Sequence, residues 1–372
     1  MRLFRIFIIV LLFAAAGVGF YLYEDTKLPP QAQPLRPAAT TTGSVTTPPP
    51  EPEVTLEEMV GELFMVGHWA ETPVASTSEL IDTYHLGSVV IMSVPEDPTE
   101  IRSWVRTWNA SSTRPLFIAI DQEGGSVSRL KGPTFIQTSQ REIISTSSAY
   151  QVGLVRGKEL EKLGINLNLA PVLDYASTTD SFMYQRSFAS RELTADMAGA
   201  MIAGMSESGV IGVAKHFPGH ADTTEDSHVV LPSVPITLEA LPAFTSSFEK
   251  LIAEYEVAAV MTAHVQFPQI DTQPATLSYF FLTNYLRDGL GFDGVIITDD
   301  LIMQAVSSST PAGQAAVPAL QAGADVLMFA AEPARVGEGV TAVLAAVAQG
   351  RLSEARIKES YERIQNAKGL VE

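Results

Sequence analysis

The chain has 372 residues, of which 46% are hydrophobic and 18% charged, so it can bury a large core and is not disordered throughout. Its 42 acidic residues exceed its 24 basic residues, and the net charge of −18 argues against a nucleic-acid partner, because phosphate binding depends on Lys and Arg. It has no cysteine, which excludes disulfides, thiolate metal sites, cysteine nucleophiles and a lipid-modified cysteine.

Residues 1–23 predict a membrane anchor or an export signal. Arg2 and Arg5 precede an apolar run over residues 6–23, which reaches the roughly 17–20 residues needed to span a bilayer. Basic residues before the run predict that this end stays in the cytoplasm. A cleaved signal peptide is the alternative, because the alanines at 14–16 suit a cleavage site. We favour the uncleaved anchor; it tethers the rest of the chain outside the cytoplasm, whereas cleavage would release that part as a secreted protein.

Residues 24–53 predict a semi-stiff, disordered linker. The segment is rich in Pro and Thr and has too little apolar sequence to offset the entropy of ordering it. Four basic and four acidic residues balance within residues 1–53: Arg2, Arg5, Lys27, Arg36, Glu24, Asp25, Glu51 and Glu53. The negative charge of the chain therefore belongs to residues 54–372, which we predict to be one domain.

This domain alternates predicted strands and helices, and it opens with a helix whose capping box is formed by Thr55 and Glu58. Eight apolar segments are predicted as strands: residues 63–67, 88–93, 116–121, 166–172, 212–217, 257–265, 294–299 and 325–329. Helical patterns between them include residues 149–163, 193–208, 238–255 and 337–349. Eight such units predict an α/β fold, a single (β/α)8 barrel of the TIM type. A doubly wound open sheet is the alternative, with little support because no Gly-x-Gly-x-x-Gly motif follows the first strand.

Ionisable side chains recur where the predicted strands end. They are Asp121, Asp174, Lys215, His216, His264, Asp299 and Asp300. In a (β/α)8 barrel the carboxyl ends of the strands meet at one face, which carries the chemistry. Because unpaired charge is costly in a core, we expect these groups to line a polar pocket.

The densest cluster of such groups is KHFPGHADTTEDSH at residues 215–228, which holds three of the six histidines. His and carboxylate side chains suit a divalent metal, but the spacing matches no helical His-Glu-x-x-His and no His-x-His motif, and Pro218 with Gly219 makes the segment a loop. We therefore predict no metal and no cofactor. Acid/base chemistry is favoured instead, because Asp226 lies two residues before His228 and can orient its ring.

These motifs together resemble the β-N-acetylglucosaminidases of glycoside hydrolase family three, the branch that trims peptidoglycan fragments. The resemblance rests on IDQEGG at 120–125, the loop at 215–228, MTAH at 261–264, and GFDG at 291–294 leading into TDDLIM at 298–303. It covers residues 55–370. It implies a (β/α)8 barrel, in agreement with the strand count.

The resemblance also implies a mechanism. Asp299 matches the nucleophile of a retaining enzyme, with Asp300 as the adjacent alternative, and His228 assisted by Asp226 matches the acid/base group. Further positions match sugar-binding residues: Asp121, Arg129, Arg186, Lys215 and His216. The expected substrate is a glycan with terminal N-acetylglucosamine, and we expect the enzyme to be a monomer held to the membrane by its N-terminal helix.

Three positions depart from the usual pattern of the branch: Ser126 in place of Arg, and Ala189 and Ala221 in place of Gly. The sequence leaves open whether water or phosphate accepts the sugar, and which aglycone is preferred. Two other classes of function stay as alternatives, a non-catalytic wall-binding barrel and a metal-dependent barrel hydrolase.

Overall fold

The computed structural model describes residues 54–221, 223, 231–303, 306 and 312–371. The predicted anchor, the predicted linker, Asp226 and His228 lie outside these residues. Within the described part, no helix has both the length and the apolar character required to cross a bilayer.

The centre of the fold is a parallel barrel of eight strands. The strands in chain order are β1 (Phe64–His68), β2 (Ser88–Ile91), β3 (Phe117–Ile120), the hairpin strands β4 (Gln122–Gly124) and β5 (Val127–Ser128), β6 (Leu167–Asn168), β7 (Ile211–Phe217), β8 (Ala259–Thr262), β9 (Val295–Ile297) and β10 (Leu327–Phe329). Without the hairpin, neighbours pair in the order β10-β1-β2-β3-β6-β7-β8-β9. A parallel bridge between Ile297 and Val326 joins the two end strands, so the sheet is nearly closed.

This architecture confirms the predicted (β/α)8 barrel and its eight strand segments. The alternative of a doubly wound open sheet is wrong, because the two outer strands of the sheet meet. The antiparallel β4–β5 hairpin was not predicted. It turns through Gly125, whose φ of 61° favours glycine, and it follows β3 at the face where the strands end.

Helices surround the barrel. Their bounds are α1 (Leu56–Glu62), α2 (Val74–Tyr84), α3 (Ile101–Ala110), α4 (Thr146–Glu161), α5 (Thr194–Ser206), α6 (Leu241–Phe244), α7 (Ser246–Glu254), a π-helix (Phe280–Gly289), α8 (Ala312–Ala322), α9 (Val336–Ala348) and α10 (Glu354–Lys368). The capping box before α1 is confirmed: the amide of Glu58 donates to the Thr55 hydroxyl at 3.2 Å, and the amide of Thr55 donates to the Glu58 carboxylate at 2.8 Å.

The segment 238–255, predicted as one helix, is broken into a 3₁₀ turn, α6 and α7. The break falls at Thr245, a buried residue whose backbone leaves the helical region. Its hydroxyl bonds the carbonyl of Leu241 at 3.0 Å and the hydroxyl of Tyr285 at 2.8 Å. A Thr side chain that bonds backbone and neighbouring groups competes with the regular helix, which explains the break.

Helix α10 lies against the end of the barrel where the strands begin, opposite the ionisable face. Lys368 donates to Glu62, just before β1, at 2.6 Å, and both side chains are buried. Asp325, just before β10, is fully buried and pairs with Arg287, and with Arg356 and Arg363 at 3.5 and 3.4 Å. Buried ions are costly unless paired, so these contacts fix α10 to the barrel and keep the stabilising groups away from the other face.

We expect the free energy of unfolding to depend on pH through His68, the last residue of β1. Its imidazole is fully buried between Trp104 and Trp108, at ring distances of 4.7 and 4.8 Å, and Nδ1 bonds the hydroxyl of Thr77 at 2.8 Å. Burial lowers the pKa of His68 from 6.5 to about 4, and the opposing effect of Glu71 is smaller.

Because the folded pKa lies below the unfolded one, the unfolded chain binds the proton first, and stability falls as the pH drops from about 6.5 to about 4. The expected contribution is a slope of up to about 1.4 kcal/mol per pH unit in that window. Urea unfolding of the wild type and of His68→Gln across the window measures it, since other titrating groups cancel in the difference. A difference between the two proteins that does not change with pH would contradict this prediction.

Candidate active site

A cavity of about 690 Å³ opens at the carboxyl ends of the barrel strands. Its volume is within the range of small-molecule sites. All six of the sequence-predicted site residues that the structure describes line it: Asp121, Arg129, Arg186, Lys215, His216 and Asp299. They come from five different segments of the chain, as expected at the functional face of a barrel.

A network of ions forms one wall of the cavity. Lys215 on β7 places Nζ at 2.8 Å from Asp121 Oδ1 and 2.7 Å from Glu123 Oε1. Arg186 grips Glu123 with two parallel bonds, Nε to Oε2 at 2.9 Å and Nη2 to Oε1 at 2.8 Å. Arg129 reaches Asp121 Oδ2 at 3.2 Å. Two carboxylates and three cations thus present fixed donors and acceptors to the cavity.

This network keeps its members ionised. Burial by itself raises the pKa of Glu123, but Arg186 and Lys215 outweigh it and lower that pKa to about 2. Burial likewise opposes ionisation of Asp121, and Lys215 with Arg129 lowers its pKa below the usual range. Burial lowers the pKa of Lys215, but the carboxylates of Asp121 and Glu123 outweigh burial, so the pKa of Lys215 is raised. The wall is therefore charged at neutral pH.

Glu123 was not assigned a role from the sequence, although it stands in the IDQEGG motif. The β4–β5 hairpin explains its position. The side chain of Gln122 accepts from the amide of Leu130 and donates to the carbonyl of Leu130, both at 2.9 Å. With Gln122 tied down on the hairpin side, Glu123 reaches Lys215 and Arg186. The sequence signal that could have identified Glu123 is a second carboxylate two residues after Asp121.

A second cluster joins residues that are distant in sequence. Asp174, fully buried after β6, accepts from the amide and Nδ1 of His216 at 3.0 and 2.7 Å, both on Oδ2. Its Oδ1 accepts from the amide of His220 at 2.6 Å and faces His220 Nδ1 at 3.2 Å. Burial raises the pKa of Asp174, but His220 and His216 outweigh it, so the pKa lies well below its usual range. Burial lowers the pKa of His216 to about 4, so its ring is neutral at pH 7.

Asp299 and Asp300 follow β9 and differ in their environment. Asp300 accepts three backbone bonds: at Oδ1 from Ile302 and Ala330 at 3.1 and 3.0 Å, and at Oδ2 from Ala331 at 2.9 Å. Burial nevertheless raises its pKa. Asp299 is partly exposed, lines the cavity and accepts from the amide of Asp300 at 2.8 Å. The three loop amides hold the carboxylate of Asp300 in place, which indicates a structural role for it.

Replacement of Asp300 by Asn is therefore expected to lower the free energy of unfolding by about 1–3 kcal/mol, because an amide NH2 would face at least one of the backbone donors. Thermal or urea unfolding measures the loss. Asp293→Asn is the matched control, because Asp293 is an exposed carboxylate just before β9. This variant should unfold like the wild type. Equal stability of all three proteins would refute the structural role of Asp300.

Three further positions singled out in the sequence are His264, Ser126 and Ala221. His264 after β8 is fully buried, and its Nε2 bonds the carbonyl of Asp300 at 2.9 Å, so it contacts the Asp299–Asp300 segment from below the cavity rather than lining it. Ser126 lines the cavity at the tip of the hairpin. Ala221 has a φ of 55°, in the left-handed region that favours glycine, so this departure from the usual pattern carries backbone strain.

A second cavity of similar volume, about 700 Å³, lies where β7 and β8 begin. Most of its lining is apolar or small, from Ile202 on α5 to Leu370 and Val371 after α10. Among the described residues that line it, Glu254, Tyr255 and Glu256 are the ionisable ones, so it lacks the paired cations and carboxylates of the first cavity. The first cavity is the candidate active site.

Comparisons with known proteins find a family description and relatives that match the barrel domain. The family description "Glycosyl hydrolase family 3 N terminal domain" matches residues 55–367. The chain is 35% identical to a β-hexosaminidase of Idiomarina loihiensis over 237 residues, covering 62% of this chain and 71% of the relative. It is 32% identical to a β-hexosaminidase of Alkalilimnicola ehrlichii over 270 residues, covering 70% of this chain and 76% of the relative.

Solved structures are similar as well. A family 3 β-N-acetylglucosaminidase from Paenibacillus sp. superposes with a TM-score of 0.78 at 35% identity, covering 86% of this chain and 63% of that one. A β-N-acetylhexosaminidase from Beutenbergia cavernae superposes with a TM-score of 0.79 at 32% identity, covering 85% of this chain and 99% of that one. The chain thus spans somewhat less than two thirds of the Paenibacillus protein and nearly all of the Beutenbergia protein.

Proposed function

This chain belongs to glycosyl hydrolase family 3, and from that premise we propose that it is a retaining β-N-acetylhexosaminidase that releases terminal N-acetylglucosamine from peptidoglycan fragments. Family membership confirms that part of the resemblance which concerns glycoside hydrolase family three, and it makes the chain a glycoside hydrolase. The observation that carries the finer proposal is the position of Asp299 in the same cavity as the wall of Asp121, Lys215 and Arg186.

In the proposed mechanism Asp299 is the nucleophile. Retaining hydrolysis needs a carboxylate below the anomeric carbon that forms a covalent glycosyl intermediate. Two carboxylates follow β9, and the backbone amides that hold Asp300 favour Asp299 for this task. The nucleophilic oxygen of Asp299 attacks the anomeric carbon, and the bond to the leaving oxygen breaks.

The charged wall is proposed to hold the sugar. Hydroxyl groups both donate and accept, and hydrogen bonds to ionised partners are about twice as strong as neutral ones. Asp121 supplies acceptors, while Lys215, Arg129 and Arg186 supply donors, and the neutral ring of His216 lies beside them. Because Glu123 and Asp121 already fix the cations, little ordering is needed when the sugar binds.

His228, oriented by Asp226, is proposed as the acid/base group. Its imidazolium protonates the leaving oxygen, and the neutral ring then takes a proton from the water that hydrolyses the glycosyl intermediate. The proposal rests on the motif, since both residues lie outside the described part of the chain.

Turnover of a chromogenic β-N-acetylglucosaminide tests the activity, and the anomeric configuration of the first product, read by NMR, tests retention. Muropeptides offered with and without phosphate then test the peptidoglycan substrate and identify the acceptor. We also propose that residues 1–23 anchor the enzyme with its barrel outside the cytoplasm, which fractionation of cells expressing the full chain tests. Absence of turnover with every aminosugar substrate would overturn the proposed activity.

Replacement of His228 by Ala is expected to slow hydrolysis strongly for substrates with a poor leaving group, by about 10²–10⁴-fold, and far less for an activated aryl glycoside. An activated leaving group departs without protonation, so formation of the intermediate then depends little on the acid. Steady-state kinetics on a series of leaving groups measures the difference. An equal loss across the series would exclude His228 as the acid.

A further inference from the structure

We propose that Asp174, His216 and His220 form an inhibitory binding site for one divalent transition-metal ion of the zinc type, at the edge of the sugar cavity. The inference of competition with sugar rests on the proposed function, whereas metal binding itself does not. It differs from the metal-dependent hydrolase considered from the sequence, because the ion here takes no part in catalysis.

The geometry of the three side chains carries the inference. One ligand atom from each of them lies within 4.8 Å of the other two, and all three residues are buried. Asp174 comes from the segment after β6, His216 from β7 and His220 from the following loop, so the group is held by separate elements of the barrel. Among the described residues, no other group of three or more His and carboxylate side chains is placed to hold an ion.

The chemistry of the three ligands selects the class of ion. Two imidazole nitrogens and one carboxylate oxygen match the sets that bind Zn²⁺, with Co²⁺ as a close substitute, whereas Mg²⁺ and Ca²⁺ prefer all-oxygen sites. Without an ion, Nδ1 of each ring faces Asp174 and carries the ring hydrogen. When a metal binds Nδ1 instead, that hydrogen moves to Nε2 of the same ring. Asp174 also retains the amides of His216 and His220, which orient it as outer partners orient metal ligands.

The surroundings of His220 do not fix the tautomer of its ring. His220 is 1% exposed, and its Nε2 atom is buried with no hydrogen-bond partner among the described residues. A buried polar atom without a partner carries a cost of about 1–3 kcal/mol. Nε2 has no described partner in either tautomer, so no donor at Nε2 holds the ring hydrogen on Nδ1, and the ring can take the tautomer that a metal on Nδ1 requires.

The position of the site predicts its effect. His216 and His220 both line the cavity, beside Lys215 and Phe182, so an ion can reach the two rings through it. A metal on His216 Nδ1 keeps the ring hydrogen on Nε2, so this atom can no longer accept a hydrogen bond from a sugar hydroxyl, and the ion adds positive charge next to Lys215. We therefore expect zinc binding and sugar binding to compete.

Titration of the untagged full chain with Co²⁺, followed by its visible absorption and by calorimetry, tests binding directly. The expected result is one ion per chain, displaced by Zn²⁺ and unaffected by excess Mg²⁺. His220→Gln and Asp174→Asn should each weaken Co²⁺ binding by about 100-fold or more. The matched control is His85→Asn, an exposed histidine in the left-handed region that Asn tolerates, and it should bind like the wild type.

Kinetics supply the second readout. Zn²⁺ should raise the KM of the chromogenic substrate without lowering kcat, and a chelator should reverse the effect. If the wild type binds no Co²⁺, or if His228→Gln abolishes binding while His220→Gln retains it, the inference is overturned. Should the substituted proteins fail to fold, X-ray absorption of the wild-type Co²⁺ complex decides, because fewer than two imidazole ligands contradicts the site. Co²⁺ binding without aminosugar turnover would leave the site intact and refute the proposed activity instead.

Discussion

Replacement of Asp299 by Ala is expected to lower kcat/KM for N-acetylglucosaminides by at least about 10³-fold, with little change in stability. The reason is chemical: without this carboxylate no covalent glycosyl intermediate can form, while the wall that binds the sugar is untouched. The substrate or a product should therefore still bind. Steady-state kinetics, calorimetry with N-acetylglucosamine and thermal unfolding measure the three quantities.

A chemical rescue and a control variant sharpen the Asp299 experiment. Azide should partly restore turnover in Asp299→Ala, since a small anion can occupy the vacated volume and attack the anomeric carbon, giving a glycosyl azide of inverted configuration. Asp293→Ala, at an exposed carboxylate just before β9, is the matched control and should keep full activity. Full activity of Asp299→Ala itself would remove Asp299 as the nucleophile.

Replacement of Lys215 by Met is expected to reduce both activity and stability. The ammonium group lies 2.8 Å from Asp121 and 2.7 Å from Glu123, and its removal leaves two carboxylates on a buried wall with less positive charge between them. Breaking a buried ion pair from one side costs about 3–5 kcal/mol. Loss of a charged donor to the sugar should also lower kcat/KM by at least about 100-fold.

Urea unfolding and kinetics at saturating and limiting substrate measure the effect of Lys215→Met. Lys162→Met, on an exposed lysine after α4, is the matched control. The pH profile offers a readout that simple misfolding would not give. Without Lys215 the carboxylates of Asp121 and Glu123 should titrate at higher pH than in the wild type, so activity should decline earlier as the pH falls. A variant with wild-type stability and an unchanged acid limb would show that the network does not depend on Lys215.

Local sequence signals were sufficient for most of the barrel. Each of the eight parallel strands lies in a short, mainly apolar segment, and burial on both faces of a parallel sheet favours that composition. The Thr55–Glu58 capping box was equally local and is confirmed. The helix predicted over 238–255 failed where Thr245 bonds to Tyr285, a residue that lies far away in the sequence. Periodicity cannot report a contact between distant segments.

The candidate site divides in the same way. The sequence by itself determined the family, the strand-end positions of Asp121, Lys215 and Asp299, and the charge-balanced segment that precedes an acidic barrel, because motifs and composition are properties of neighbouring residues. Only the tertiary structure decided that Glu123 shares Lys215 with Asp121, that backbone amides hold Asp300, and that Asp174 joins His216 and His220. These pairings depend on the closure of the barrel, which brings strand ends far apart in sequence within hydrogen-bonding distance, and the spacing of residues along the chain does not encode those distances.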